Sequence, residues 1–293
     1  MKRRAQLVFP VLKHLIIVTL HFNGAWLIFL IKRKFIKKIQ VNEPIRTDEI
    51  IISMTSYPRR FKFASKSIKS ILMQDLRPKR IILFLFEDDF KLSKYFEKFS
   101  RYGVEVQSYP KNLKSFLKII PALELYPDHV IVSADDDMYY RRDWLRQLIN
   151  GSDTHPNSIV GHRGIKIRLD SNGQVMPYLN WKLEESEFFG SNLVLTSVGG
   201  ILYPVGLLNR NVLDMDLAEK LTPNNDDFWI YFIALMSEIP QGTIKSTNQD
   251  PYYWFGSQKL ALWKSNVLEN KNDVQFTNLL VHFRALKKVR GSV

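Results

Sequence analysis

Along the first half of the chain, short apolar runs alternate with stretches in which apolar side chains recur every three or four positions. The runs are Glu49–Met54 (EIIISM), 80–86 (RIILFLF), a weaker one at 104–108 (VEVQS), and 129–134 (HVIVSA). Near-continuous apolar strands of this length are buried on both faces, as in parallel sheets. Between the first two, Ala64, Ile68, Ile71 and Leu72 fall at helical spacing within 62–74, with Lys62, Lys66 and Lys69 elsewhere on the helix surface. Over 113–120, Leu113, Phe116, Leu117 and Ile120 repeat that spacing, and Pro121 should kink or restart the helix. Such alternation predicts an α/β fold, with a mostly parallel central sheet flanked by helices. Ligands bind such sheets at the carboxyl ends of the strands. Thr55-Ser56-Tyr57 and Asp135-Asp136-Asp137 both stand there. After residue 150 the pattern is more irregular and aromatic, and this half would supply the second substrate's site. There is no internal repeat.

Ahead of the first strand, residues 7–31 are strongly apolar but interrupted by Lys13, His14, His21 and Asn23. The 18 residues from His14 to Ile31 are just long enough to span a bilayer. Lys32, Arg33, Lys34, Lys37 and Lys38 follow directly, with no small-residue cleavage site. The segment reads as a transmembrane anchor or a helix lying in the interface, with membrane association through residues 7–38. The heavier basic flank lies downstream, which puts the body on the cytoplasmic face of the membrane. The division expected is a membrane-associated segment at 1–45, one domain at 46–283 and a basic tail at 284–293.

Charge agrees with this division. The nine basic residues of 1–40 and the four of 284–290, with no acid in either stretch, account for the whole net charge of +13. A neutral body with basic ends suits an anionic membrane surface and argues against a nucleic-acid groove. The chain has no cysteine, so disulfides, thiolate zinc sites and thiol nucleophiles are excluded. Zinc-type His spacing, a Walker loop and a Gly-x-Ser-x-Gly elbow are absent from the sequence.

The chemistry concentrates in carboxylates. Three adjacent ones repel one another and call for a cation or strong donors. In an extended chain Asp135 and Asp137 point the same way and Asp136 the other. An Asp-x-Asp pair at a strand end can hold one Mn²⁺ or Mg²⁺, whose open positions take diphosphate oxygens. The plainer alternative is an acidic turn before the helix near Arg142–Ile149. A second pair, Asp226-Asp227, opens a run that is apolar all round (FWIYFIALM) and therefore buried. There the helix dipole favours the ionised form and would weaken either acid as a base. Lys114 and Lys118, four apart, either reach a phosphate or form a solvated face. Tyr57-Pro58 is a stacking platform or a turn, and Gly199-Gly200 a close approach to a ligand or a tight turn.

The order and spacing of several segments resemble bacterial glycosyltransferases of the GT-A fold, the Rossmann-like nucleotide-diphospho-sugar transferases similar to glycosyltransferase family two. These segments are IIISMTSYPRRF (50–61), SIKSILMQDLRPKRIILFL (67–85), KSFLKIIPAL (114–123), IVSADDDMYYRRDWL (131–145), GHRG (161–164), GGILYPVG (199–206), NNDDFWI (224–230), and LWKSNV with NDVQF within 262–276. The resemblance runs over most of 49–283. It implies metal-dependent transfer of a hexose or N-acetylhexosamine from a nucleoside-diphosphate sugar, a UDP-sugar foremost, to a surface-glycan or lipid-linked acceptor such as lipopolysaccharide. It also implies roles. Thr55, Ser56, Tyr57 and Arg60 meet the base and ribose. Asp135 and Asp136 face the donor, and Asp135 and Asp137 the metal. Gly199 and Gly200 lie beside the donor sugar. Asp227, ahead of Trp229, is the acceptor base, with Asp226 its neighbour. His162-Arg163 would stand near acceptor or phosphates, and His282 is a conceivable late metal ligand. The rival readings are a sugar nucleotidyltransferase and a non-catalytic membrane-associated protein that binds nucleotide sugar and metal.

Overall fold

The computed structural model describes residues 49–246, 248, 252–260 and 270–291. The expected membrane segment at 7–38 and the LWKSNV stretch lie outside the described residues. Among those described, no helix is long and apolar enough to cross a membrane.

The chain runs β1 (Ile50–Thr55), α1 (Phe61–Leu72), β2 (Arg80–Phe86), α2 (Glu87–Phe90), β3 (Val104–Tyr109), α3 (Ile120–Leu125), β4 (Val130–Ala134) and α4 (Trp144–Thr154). The second half adds β5 (Ile159–Gly161), β6 (Gly164–Lys166), β7 (Lys182–Glu184), β8 (Phe188–Phe189), β9 (Leu193–Leu195), β10 (Ile201–Tyr203), α5 (Met215–Leu221), α6 (Asp226–Met236), β11 (Gln241–Thr243), α7 (Lys271–His282) and α8 (Leu286–Arg290). An eight-stranded sheet has the order β3-β2-β1-β4-β10-β5-β11-β8, and β7-β6-β9 form a smaller one. Only β10 and β8 oppose the other strands of the large sheet, so the fold is α/β with a mostly parallel centre.

The apolar runs continue through both faces because both faces are covered. In β1, Ile51 joins one core while Ile50, Ile52 and Met54 join the other; in β2, Ile82 and Phe84 oppose Ile81, Leu83 and Leu85. On the second face lie Ala64, Ile68 and Ile71 of α1 with Trp144, Leu145 and Leu148 of α4. The first is covered by Trp229, Phe232 and Ile233 of α6 and by Phe276 and Leu279 of α7. The α6 run is buried nearly all round, as its composition requires.

The expected helix at 113–120 divides. A 3₁₀ turn spans Lys114–Lys118, and α3 restarts with Pro121 in its first turn. Proline has no N–H to give and is tolerated there. Lys114 takes the left-handed conformation, φ 54°, at the entrance to this turn.

Residues 284–291, expected as a basic tail, are packed. Ala285 and Val289 are fully buried in the core, and α8 is fastened by Lys288 to Glu238 (2.7 Å) and by Arg290 Nε to the Gly173 carbonyl (2.7 Å). Two apolar positions four apart on a helix outweigh the charge of its other faces.

Between β1 and β4 the strand order turns. β1 pairs in parallel with β2 on one side and β4 on the other, and Met54 stands opposite Ala134. Both chains therefore leave the sheet at the same level and open a crevice between them.

Candidate active site

That crevice is a cavity of about 590 Å³. Thr55, Ser56 and Tyr57 enter it from the end of β1, Asp135–Asp137 from the end of β4, and Asn225, Asp226 and Asp227 from the start of α6. Two carboxylate groups about 90 residues apart in sequence thus line one cleft.

Lys118 joins them. Its Nζ lies 2.9 Å from Asp135 Oδ1 and 3.0 Å from Asp226 Oδ2, and its side chain is only 9% exposed. Burial opposes the ammonium charge, but Asp135, Asp226 and Asp227 outweigh it and hold the amine well above its ordinary range. Lys118 is therefore a buried bridge, not part of a solvated face, and both it and the exposed Lys114 line the cleft.

Arg60 plays the matching part for the other two acids. Its guanidinium donates to Asp136 (Nε to Oδ1, 2.9 Å; Nη2 to Oδ1, 2.6 Å) and lies 2.9 Å from Asp137 Oδ2. Ser56 adds a 2.6 Å hydrogen bond to Asp136, and Gln258 one of 2.9 Å to Asp137. The resemblance put Arg60 beside base and ribose; here it is a counter-ion whose planar fork holds two carboxylates. The expected alternation of side chains fails for a related reason. Asp136 and Asp137 form a turn instead of extended chain, so Asp136 also faces the cleft and shares Arg60 with Asp137.

Acids still outnumber cations. Burial chiefly, reinforced by Asp136 and Asp135 against Arg60, raises the Asp137 carboxyl to about 6. Burial and then Asp226, opposed by Lys118 and the Ser197 hydroxyl, raise Asp227 to about 7. The sequence expectation was that the helix dipole would keep Asp227 a weak base. The dipole is worth about 0.3–1 kcal/mol, and a rise of this size needs several times that in the other direction. Burial next to a like charge decides the outcome.

Asn225 caps α6 through its carboxamide oxygen, which accepts from Phe228 N at 3.0 Å, and its amide nitrogen donates to Asn272 of α7 at 3.2 Å. The Ser197 backbone N–H and hydroxyl both donate to Asp227 Oδ1. The Asp226-Asp227 corner is thereby fixed from three separate segments. Tyr178, Tyr253 and Gln258, which line the cleft, and Ser197 carry no local signal in the sequence; Asn272 opens the NDVQF segment but is given no role by it.

Gly199 and Gly200 do not line the cleft; their neighbour Val198 does. The Gly199 carbonyl accepts from Trp144 Nε1 at 2.7 Å, and a Cβ on Gly200 (φ 89°) would stand 2.5 Å from Trp144 Cζ2. The pair packs against the Trp144 indole, which accounts for the glycine at 200 without a ligand. Gly200→Ala should lower stability by about 3 kcal/mol, from strain at positive φ and the clash together. A urea titration that leaves the midpoint unmoved would contradict this account.

The histidines named from the sequence also fall elsewhere. His162 is fully buried, bonded to Ser246 and to the Trp144 carbonyl (3.0 Å). Burial lowers it to about 4, so it is a neutral structural group. Arg163 donates to Thr196 at 3.0 Å, outside the cleft lining. His282 is on the exposed side of α7, edge-on to Phe283.

Among the described residues, no group of three or more His, Cys, Asp or Glu side chains is arranged to hold a metal ion. Asp135 and Asp137 offer two carboxylates.

No family model matches the sequence, and neither does any curated protein. Many solved structures overlay on the fold, and two of them serve as examples. One is 4-diphosphocytidyl-2C-methyl-D-erythritol synthase from Anaerococcus prevotii DSM 20548, at 12% identity over 79% of this chain and 98% of that one, TM-score 0.46. The other is S. aureus TarS 1–349, at 15% identity over 81% and 73%, TM-score 0.47. Both TM-scores fall below 0.5, and neither likeness bears on what the cleft does.

Proposed function

We propose that this protein is a glycosyltransferase that moves a sugar from a nucleoside-diphosphate sugar, of which a UDP-sugar is the first choice, to a hydroxyl of a surface-glycan or lipid-linked acceptor. One observation carries the reading: a single cleft of about 590 Å³ at the carboxyl edge of β1 and β4 is lined by two carboxylate groups from distant parts of the chain, each with one carboxyl raised by burial. The Asp135–Asp137 group suits the donor, and the Asp226-Asp227 corner suits the acceptor.

The excess of acids in the cleft supports a divalent cation there, with two carboxylates as its protein ligands. Five buried or half-buried carboxylates face two buried cations, Arg60 and Lys118; burial raises Asp137 and Asp227, and the neighbouring acids add to the rise. Asp135 and Asp137 would hold Mn²⁺ or Mg²⁺, leaving the remaining positions to phosphate oxygens and water, the usual arrangement for these ions. When bound, the ion neutralises charge on the departing diphosphate.

The chain's own residues would do the rest. Tyr57, half exposed at the cleft mouth, offers a stacking face to the base. Lys114 offers the phosphates a mobile positive charge. In an inverting transfer, Asp227 accepts the proton of the acceptor hydroxyl as its oxygen bonds to the anomeric carbon. The bond from that carbon to the diphosphate oxygen breaks, and the diphosphate leaves with the electron pair. Ser197 holds Asp227 in place, and Asp226 and Lys118 act on its affinity for the proton.

A screen of nucleotide sugars by thermal shift, with and without Mn²⁺, tests the assignment, because a true donor stabilises the fold by mass action. The donor found should then release nucleoside diphosphate on transfer. Asp135→Ala and Asp137→Ala should abolish the Mn²⁺-dependent part of the shift. Release of pyrophosphate from a nucleoside triphosphate and a sugar phosphate would instead make the protein a nucleotidyltransferase. Binding of nucleotide sugar without turnover would make it a binding protein.

A further inference from the structure

Away from the cleft lining, α1 packs against the 3₁₀ segment Ser93–Tyr102 through Phe61, whose ring meets Phe96 edge-on at 4.8 Å and Tyr95 at 5.7 Å. Between these elements runs a groove of about 390 Å³, lined by Pro58, Arg59, Phe61, Lys62, Leu92 and Tyr95. Arg59, in the turn before α1, and Lys62, Lys66, Lys94 and Lys98 on the two elements are all exposed, and among the described residues none of these five pairs with an acid. Glu97 is the one acid within Ser93–Tyr102. Crowding is real: the Lys69 amine is lowered by burial first, then by Lys98 and Lys66. Leu92 and Tyr95 project beside these charges, 54% and 43% exposed. Several amines lie along aromatic rings, Lys98 over Tyr95 (4.8 Å) and Lys62 over Phe63 (4.9 Å), where their stems cover apolar surface.

We propose that this basic, apolar-tipped face docks on an anionic lipid surface, with phosphate headgroups at Arg59, Lys62, Lys94 and Lys98, and Leu92 and Tyr95 entering the interface. Charge complementarity selects a polyanion. The two exposed apolar side chains within the basic field select a bilayer over a soluble polyanion, since an amphipathic surface gains from both. Pro58 lines both this groove and the cleft, so docking brings the cleft mouth to the membrane surface. The site is on the folded body and is separate from residues 7–38.

The absence of cysteine from the chain permits a local test on the full-length protein. Leu92→Cys, labelled with an environment-sensitive fluorophore, is mixed with phosphatidylcholine vesicles with or without about a third phosphatidylglycerol. The same label on Val281→Cys, 70% exposed on α7, is the reference. The label at 92 should shift to the blue and be quenched by nitroxide lipid on anionic vesicles only, and the label at 281 should not respond. Removing charge in Lys62→Gln, Lys94→Gln and Lys98→Gln should weaken docking about fivefold each, on the order of 100-fold together. Tyr95→Ser should weaken it with no change of charge. These are exposed side chains, and an unchanged melting curve confirms that the variants fold. No response at 92, an equal response at 281, or an undiminished response in the triple variant overturns the proposal. So does an equal response of the label to soluble polyphosphate or single-stranded nucleic acid, which would assign the face to polyanions in solution.

Discussion

Asp227→Asn is expected to reduce turnover about 10²- to 10⁴-fold, the span of a lost general base, with donor binding nearly unchanged. Asn keeps an oxygen for the Ser197 N–H and removes only the proton acceptor. In the wild type, kcat/KM should rise with unit slope as pH increases and level off above about 7, where Asp227 ionises. The variant's residual rate should lack that limb. The same group makes an opposite prediction for stability. A carboxyl raised in the folded state binds its proton more tightly there than in the unfolded chain. Its contribution to stability is therefore full near pH 4 and is lost as pH rises through about 7. Asp227→Asn should accordingly melt above the wild type at pH 8, with the gap closing toward pH 4. Equal loss of donor binding and turnover, or a pH limb that survives in the variant, would remove Asp227 from the role of base.

The largest effect on the fold should come from Lys118→Met. The substitution roughly preserves volume but leaves Asp135 and Asp226 without the cation that both contact within 3.0 Å. Removing one partner from a buried ionic group costs about 3–5 kcal/mol, most of it from the charges left behind. In a chain of this size that is a fall of roughly 10 °C in Tm. The deficit should shrink in acid, where the stranded carboxyls take up protons. It should also shrink in the Lys118→Met/Asp226→Asn double variant, which removes one of the stranded charges. Calorimetry on the four corners of this cycle measures the coupling directly. A neutral Lys118→Met at pH 8 would show that the bridge contributes nothing, and with it the reason for Asp135 and Asp226 to share one cleft.

Much of the architecture was legible in local pattern. The four apolar runs become β1 to β4 within a residue or two, since a strand buried on both faces has to be apolar at consecutive positions. The position of Thr55-Ser56-Tyr57 and Asp135–Asp137 at one sheet edge follows from strand direction alone. So does the placing of Asp226 and Asp227 in the first turn of a buried helix. Other expectations failed where a local reading had no access to the partner. Gly199-Gly200 read equally well as a ligand contact or a turn until Trp144, 55 residues away, was seen to occupy the space. Residues 284–291 read as a tail because four basic side chains hid the apolar pair Ala285 and Val289.

The sequence by itself determined the α/β class, the strand ends at which chemistry could occur and the excess of acids there, because these depend on periodicity and chain direction over a few residues. Only the tertiary structure decided what those acids are. Arg60 and Lys118 reach across 76 and 108 residues to Asp136 and Asp226, so an arginine expected beside a nucleotide and a lysine read as either a phosphate contact or a solvated face become the buried counter-ions of the site. The protonation of Asp227 was decided in the same way. Proton affinity depends on burial and on every charge within a few ångströms, and the fold, not the local sequence, sets both.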